Sequence, residues 1–455
     1  VGEVDVFHVV NITLLLALQV PTAVLYLRII ELMTVSEKDA RYVWHPYTQM
    51  KTAALPLPIV RGEGALLIAE DGKTYIDAVS SWWVNLHGHG HPYIAERIAK
   101  QALTLEQVIF AGFTHAPAVG LAEQLIQILP SNQAKVFYSD NGSTAVEVAI
   151  KMAIQFFHNQ GVNRKIIVAF ENGYHGDTFG AMSASSDLSF NNAFQDYLFA
   201  VKYIPPPLPG QEAQSLQVLQ TILEQNNVCA FIFEPLVMGA GGMLMYTPEA
   251  LDTLIQLAQS QGIICIADEV MTGFGRTGKL FASHYLQQQP DIFCLSKGLT
   301  GGFLPMGVTT STQAIFDAFW SDDKRKTFFH GHSYTANPLG CAAALASLDL
   351  LQHEDCQADI QRITQSHQHF KTHILSHRNV QNVRQTGTIL AIEFKTSEET
   401  SYFNNLRDRL YNFFIEKGVL LRPLGNMIYI LPPYCITDKE LEWVYNIIEE
   451  ALEII

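Results

Sequence analysis

The sequence predicts an α/β fold: a mostly parallel sheet covered by helices on both faces. Three observations predict it. Short apolar runs recur at 135–138, 165–170, 229–233, 263–267 and 291–295. Segments with helical spacing separate them. Residues with chemical character come directly after the runs. A strand that is apolar throughout is buried on both faces, as in a parallel sheet between helix layers. In such sheets the ligand lies beyond the carboxyl ends of the strands.

The elements follow in chain order. Residues 7–27 (FHVVNITLLLALQVPTAVLYL) carry no charge and are long enough to span a bilayer. The preceding Glu3 and Asp5, with no Lys or Arg, lack the positive start of a signal peptide. Asn11, Gln19 and Pro21 weaken a span, and Met33 opens an ordinary cytosolic-type start. The expectation is a leader, 1–32, of translated upstream sequence, and a cytoplasmic protein from there on. Residues 143–157 read as a helix, with Val146, Ala149, Ala153, Phe156 and Phe157 at helical spacing. Pro205-Pro206-Pro207 with Pro209-Gly210 marks a surface loop. Residues 248–261 form the next helix. Past residue 336 the pattern changes. A helix at 338–352 leads to antiparallel strands at 380–394, a helix at 403–417, a hairpin at 419–431 and a last helix from Thr437. That is a smaller α+β layer. The expected organisation is 33–80 packing with this small domain, 81–335 as a large ligand domain and 336–455 as the small one.

Composition narrows the function. There are 29 Lys+Arg against 44 Asp+Glu in 455 residues, a net charge of −15. An acidic surface without a basic cluster disfavours nucleic acid. At 48% hydrophobic the chain has material for a large core, which excludes disorder as its main state. Cys229, Cys265, Cys294, Cys341, Cys356 and Cys435 are scattered and mostly in apolar runs, as thiols of a reducing compartment are.

Three strand-end motifs carry chemistry. Asp140-Asn141-Gly142-Ser143-Thr144 opens a helix; small residues and free N–H groups there suit an anion. By itself it reads first as a plain strand-to-helix turn with an N-cap serine. Asp268-Glu269 ends a buried strand, where a carboxylate needs a positive partner. That partner is either Arg276 of the GFGRTG loop, as a structural salt bridge, or a cationic ligand nitrogen. Lys297 follows residues 291–295 and is either a solvated lysine or a desolvated nucleophile. The three converge on pyridoxal 5′-phosphate, which needs a phosphate anchor, a carboxylate on its ring nitrogen and a Schiff-base lysine. Gly331-His332-Ser333 offers further donors, possible across a dimer interface. Tyr174 lies where an aromatic can meet a ring. Trp82-Trp83 and His45-Pro46-Tyr47 can line a pocket or simply pack. His87, His89 and His91 (HGHGH) have alternate spacing that permits a metal, but intervening glycines and the absence of another ligand cluster favour none.

The motifs DNGSTAVEVAIKMA, ENGYHGDTFGAMS, EPLVMGAGGM, IADEVMTGFGRTGKLFA, LSKGLTGGFLPMG and GHSYTANPLGCAAA resemble those of the class III aminotransferases, of pyridoxal-phosphate fold type I. The resemblance covers residues 40–455. It implies a seven-stranded-type sheet in the large domain, a homodimer and no resident metal. WHPYT at 44–48, SSWW at 80–83, RPLG at 422–425 and YILPP at 429–433 resemble the branch that converts 8-amino-7-oxononanoate to 7,8-diaminononanoate in biotin synthesis. The implied amino donor is S-adenosylmethionine, with lysine as the alternative. By the same resemblance Lys297 forms the Schiff base and moves the proton, and Asp268 pairs with the ring nitrogen. Gly142 and Ser143 hold the phosphate, with His332 and Ser333 arriving from the other subunit. Tyr174 stacks on the ring, and Glu234 stands near the ring hydroxyl. Tyr47 and Trp82 shape the substrate pocket, and Tyr47 also influences the reaction. Gly331 lines the substrate path, and Arg422 binds the substrate carboxylate. Some members have Gly-Pro-Thr where this chain has Gly331-His332-Ser333. Relatives that use lysine share the Gly-His-Ser form, which keeps the donor open. Competing functions are an ω-aminotransferase, an aminomutase or a membrane-tethered cofactor binder without turnover.

Overall fold

A computed structural model of the chain describes residues 33–186, 191–224, 227–396 and 406–454. The apolar stretch at 7–27 lies outside them. Among the described residues no helix is long and apolar enough to cross a membrane. The chain divides into two compact units, Val1–Arg61 with Leu67–Thr74, and Gly62–Leu66 with Tyr75–Ile455.

In the first unit the helix Val35–Tyr42 opens on a capping box. Thr34 Oγ1 accepts from Glu37 N, and Glu37 Oε2 accepts from Thr34 N at 2.7 Å. His45 Nε2 lies 2.6 Å from Asp39 Oδ1.

The second unit is built on a seven-stranded sheet. Its strands are β1 (Gln133–Ser139), β2 (Ile166–Phe170), β3 (Val201–Ile204), β4 (Val228–Phe233), β5 (Ile264–Asp268), β6 (Ile292–Leu295) and β7 (Gly307–Thr312). The spatial order is β1-β7-β6-β5-β4-β2-β3. Neighbours run parallel except at β7, which is antiparallel to both β6 and β1. Five strands match the sequence reading. β3 and β7 escaped it, because VKYI and GVTTST mix polar residues into the run and no longer look like buried strands.

Alternation along the central strands explains the two layers. Ile264 and Ile266 of β5, Ile292 and Cys294 of β6, and Ala230 and Ile232 of β4 face one side. There they meet Ala145, Val146, Ala149, Ala153 and Phe157 of the helix Gly142–Asn159. Cys265, Ala267, Phe293, Leu295, Phe231 and Phe233 face the other side, with Leu251, Leu254, Ile255 and Ala258 of the helix Pro248–Ser260. Side chains alternate with period two, so a strand apolar at every position serves both cores. Burying each large apolar side chain contributes about 1.5–3 kcal/mol.

The C-terminal part holds an antiparallel sheet of β8 (Val380–Thr386), β9 (Ile389–Phe394) and β10 (Met427–Ile430), in that order. The helix Glu354–Ile374 covers it. The expected hairpin at 419–431 does not form as such. Val419–Leu420 instead pairs in parallel with Thr74–Asp77, and β10 pairs with β9. Local pairing is confined to the tight turn, where Leu424 and Met427 exchange backbone hydrogen bonds at 2.7 and 3.1 Å. The tight turn between β8 and β9 requires Gly387: a Cβ there would lie 2.2 Å from the backbone of Thr277.

Candidate active site

Because β7 alone is reversed, the carboxyl ends of β1, β2, β4, β5 and β6 share one edge. Each delivers a functional residue there: Gly142, Tyr174, Glu234, Asp268 and Lys297 in turn.

The cradle begins at β1. Asn141 Oδ1 accepts from Thr144 N at 3.0 Å, and Thr144 Oγ1 accepts from Asn141 N at 3.0 Å and Asp140 N at 3.2 Å. This reciprocal cap leaves the first-turn N–H groups of Gly142 and Ser143 without an intrahelical acceptor, at the positive end of a long helix. Gly142 is needed for space, since a Cβ would come 2.7 Å from Val270 Cγ1. Ser143 Oγ accepts from Asp177 N at 3.2 Å, and Tyr174 Oη donates to Asp177 Oδ1 at 2.9 Å. The Gly331-His332-Ser333 loop of the same chain reaches this cradle: His332 Nδ1 is 2.9 Å from Asp140 Oδ1, without hydrogen-bond alignment. His332 Nε2 is buried and has no hydrogen-bond partner among the described residues. Ser333 offers its carbonyl to Gln107 Nε2 at 2.7 Å, and Gly331 is exposed.

At β5, Asp268 is buried. Its Oδ2 lies 2.7 Å from His175 Nδ1, and its Oδ1 accepts from Val270 N at 3.1 Å. Arg276 is not its partner. That guanidinium is buried and donates to the carbonyls of Pro432 (2.8 Å), Asn85 (3.2 Å) and Trp83 (3.4 Å). The salt-bridge alternative therefore fails; His175 orients the Asp268 carboxylate, and Arg276 leaves it open to a cationic group. His175 was missed in the sequence. The available signal was its place just past a buried strand, in a loop that hydrogen-bonds back to Ser185 Oγ at 2.9 Å.

Glu234 follows β4. It accepts from Tyr174 N at 3.1 Å and Gly239 N at 2.9 Å, so it fixes the Tyr174 backbone. Burial pushes its carboxyl up to about 7. Lys297 follows β6 with a left-handed φ of 49°. A non-glycine residue held there costs about 1–3 kcal/mol, which the packing around it must offset. Its Nζ lies 4.4 Å from the centre of the Trp83 ring. Burial lowers the amine from 10.5 to about 8; Asp268 and Glu234 oppose this, and Arg276 adds to it. A lysine beside two carboxylates thus remains a usable base.

Gly298, next to Lys297, is held through Ser347 Oγ, which donates to its carbonyl at 3.2 Å and contacts His87 Nε2 at 3.1 Å. Burial lowers His87 to about 3, so it stays neutral. His89 pairs with Asp77 at 2.9 Å. Two of the HGHGH imidazoles are thus engaged in hydrogen bonds, and among the described residues no group of three or more His, Cys, Asp or Glu could hold a metal.

Trp82 and Arg422 form the outer wall, with the guanidinium 3.9 Å from the centre of the indole ring. No carboxylate lies within ion-pair distance of Arg422 among the described residues. Tyr47 belongs to the first unit, half-exposed, with a φ of 54°.

The donor set fits pyridoxal phosphate. Gly142 and Ser143 offer first-turn N–H groups for an anion, Asp268 is a shielded carboxylate and Lys297 a neutralisable amine.

Comparison with known proteins agrees. The family profile for class-III aminotransferases matches residues 47–452. An adenosylmethionine-8-amino-7-oxononanoate aminotransferase of Synechococcus elongatus is 49% identical over 420 residues, covering 90% of this chain and 98% of the relative. The protein of that name from Geobacter sulfurreducens is 39% identical, over 92% of this chain and 97% of its own. The crystal structure of the Methanocaldococcus jannaschii protein of that name superposes with a TM-score of 0.87 at 37% identity, covering 92% and 98%. An omega transaminase of Pseudomonas jessenii in complex with PMP gives 0.86 at 28% identity, with the same coverage. With the cradle, the shielded carboxylate and the lysine on one sheet edge, this chain belongs to the pyridoxal-phosphate-dependent class III aminotransferases.

Proposed function

We propose that the chain transfers an amino group to 8-amino-7-oxononanoate, giving 7,8-diaminononanoate for biotin synthesis, with S-adenosylmethionine as donor. The relatives named for this reaction support it. The observation that carries the substrate reading is Arg422 laid on Trp82, with no carboxylate within ion-pair distance among the described residues. A guanidinium so placed can take a substrate carboxylate in a bidentate grip while the indole flanks the chain.

Pyridoxal phosphate, when bound, supplies an electron sink and carries the amino group between two half-reactions. The chain's residues do the rest. Gly142 and Ser143 would hold the phosphate, with His332 and Ser333 contributed by the other subunit of the dimer. Asp268, oriented by His175, keeps the ring nitrogen protonated. Tyr174 would stack on the ring, and Glu234, which fixes the Tyr174 backbone, would face the ring hydroxyl. Lys297 Nζ takes the proton from the substrate carbon and returns it, in either direction of the ping-pong cycle. Trp82 and Gly331 would shape the substrate path.

The reading extends to a homodimer. Exposed Leu103, Ile109, Phe113, Phe329 and Tyr334 supply apolar surface for a second copy. It also includes the division into a large domain at 81–335 and a small one at 336–455. Free cysteines, four of them buried, fit a reducing cytoplasm.

Purified protein given 8-amino-7-oxononanoate and a panel of amines decides the function. Product with S-adenosylmethionine supports it, and product with lysine alone moves the donor. No product with any donor, alongside turnover of simple ketones, makes it an ω-aminotransferase. Arg422→Ala is expected to raise the acceptor KM about 10–100-fold with cofactor loading intact.

The lowered amine gives a pH prediction. Loading of cofactor-free protein with pyridoxal phosphate should accelerate as pH rises through about 8 and then level off. A midpoint near the ordinary lysine value of 10.5 in stopped-flow absorbance would contradict it. Between those values the unfolded chain binds more protons than the folded one, so Lys297 makes stability rise with pH across that window.

A further inference from the structure

The HGHGH loop has a histidine that the reaction does not use. His89 is partly buried, and its Nε2 lies 2.9 Å from Oδ2 of Asp77, a side chain wholly removed from solvent. A carboxylate so placed needs a full set of donors. Asp77 collects Val79 N at 3.2 Å, Ser81 N at 2.7 Å and Ser81 Oγ at 3.1 Å from its own turn. His89 is the side-chain donor that reaches it from outside that turn.

The turn is strained. Ser80, Ser81 and Trp83 have φ of 51°, 59° and 66°. Trp82 projects from its middle and carries Arg422 on its face. Such a conformation persists only where the surroundings over-determine it. Ser80 Oγ is tied to Leu431 O at 2.7 Å on one side, and the Asp77 carboxylate holds the other.

His89 is itself held in place. Asn85 Nδ2 donates to its Nδ1 at 3.0 Å, which leaves the proton on Nε2 for Asp77. Its backbone N donates to Gly64 O at 2.8 Å. Gly62 has no room for a side chain, since a Cβ there would lie 2.5 Å from His89 Cβ.

We propose that His89 is a positioning residue for substrate recognition: it completes the donor set of Asp77, and so fixes the Ser80–Ser81 turn that presents Trp82 to Arg422. The proposal rests on the reading of Arg422 and Trp82 as the carboxylate pocket. It also accounts for the histidine spacing without a metal.

The test uses the cofactor-loaded enzyme. His89→Leu removes the donor, and His89→Gln keeps an N–H. The leucine variant should raise the KM for 8-amino-7-oxononanoate about tenfold, with kcat changed less than about twofold and cofactor absorbance unchanged. The glutamine variant should recover most of that loss. Acrylamide quenching of tryptophan fluorescence should increase in His89→Leu, and the increase should vanish in a Trp82→Phe background. An unchanged KM and unchanged quenching overturn the proposal. So does a parallel loss of kcat and cofactor loading, which marks a general structural role. If the wild type does not convert the acceptor, the functional reading fails, while the quenching comparison still decides the role of His89. If His89→Leu does not fold, the 15N spectrum of the wild-type imidazole decides. A protonated Nε2 whose shift responds to added acceptor supports the latch, and a signal indifferent to the acceptor overturns it.

Discussion

Replacing Lys297 with alanine should lower turnover by at least about 10⁴-fold and remove the visible band of the lysine-bound cofactor. Two roles are lost at once, attachment and proton transfer at the substrate carbon. No neighbour can substitute. Glu234 is engaged by two backbone N–H groups, and Asp268 is engaged by His175 and Val270 N. The left-handed backbone at 297 aims this one side chain, and alanine inherits the strain without the amine. Fold should be retained, because the surrounding β6 and Ser296–Met306 contact do not involve Nζ. Single-turnover assays and absorbance spectra check this. A variant that keeps the band would sink the assignment of Lys297.

Asp268→Asn should also be severe, costing about 10²–10⁴-fold in kcat. That corresponds to the ~3–5 kcal/mol lost when one partner of a buried charged pair is removed. The amide cannot keep a ring nitrogen protonated. It also turns an N–H toward His175 Nδ1, which is set 2.7 Å away to meet a carboxylate oxygen. Weaker cofactor retention on dialysis should accompany the loss. His175→Ala should move the same two quantities in the same direction by less, because it only orients the carboxylate. Equal kcat in Asp268→Asn and wild type would remove Asp268 from the mechanism.

Much of this site is legible in the sequence, for a physical reason. β5 and β6 are apolar at every position, so a charged residue at their ends stands out against its surroundings. Asp268 and Lys297 are such residues. Gly142 and Ser143 show less plainly, since a run of small residues opening a helix is also an ordinary strand-to-helix turn, and they stand out only beside Asp268 and Lys297. His175 and Glu234 were harder. Glu234 came only from family resemblance, and His175 was passed over for the adjacent Tyr174. Each depends on a partner distant in sequence, 93 residues away for His175 and 60 for Glu234. The strand β7 was hidden by its threonines, which are buried but hydrogen-bonded: Thr309 donates to Ala145 O at 2.7 Å and Thr310 to Gln133 Oε1 at 2.7 Å. Polarity in sequence does not reveal whether a hydroxyl is satisfied inside.

The sequence by itself determined the layer architecture and the polar residues that stand at the carboxyl edge of the sheet. Those depend on hydrophobic periodicity and on the position of polar residues relative to it, which are local properties. Only the tertiary structure decided the pairings: His175 rather than Arg276 on Asp268, His89 on Asp77, Arg422 on Trp82, and Val419–Leu420 beside Thr74–Asp77. These are choices among several chemically acceptable partners. They are settled by which side chains the packed sheets and turns bring within hydrogen-bond reach, a distance of a few ångströms that sequence separation does not encode.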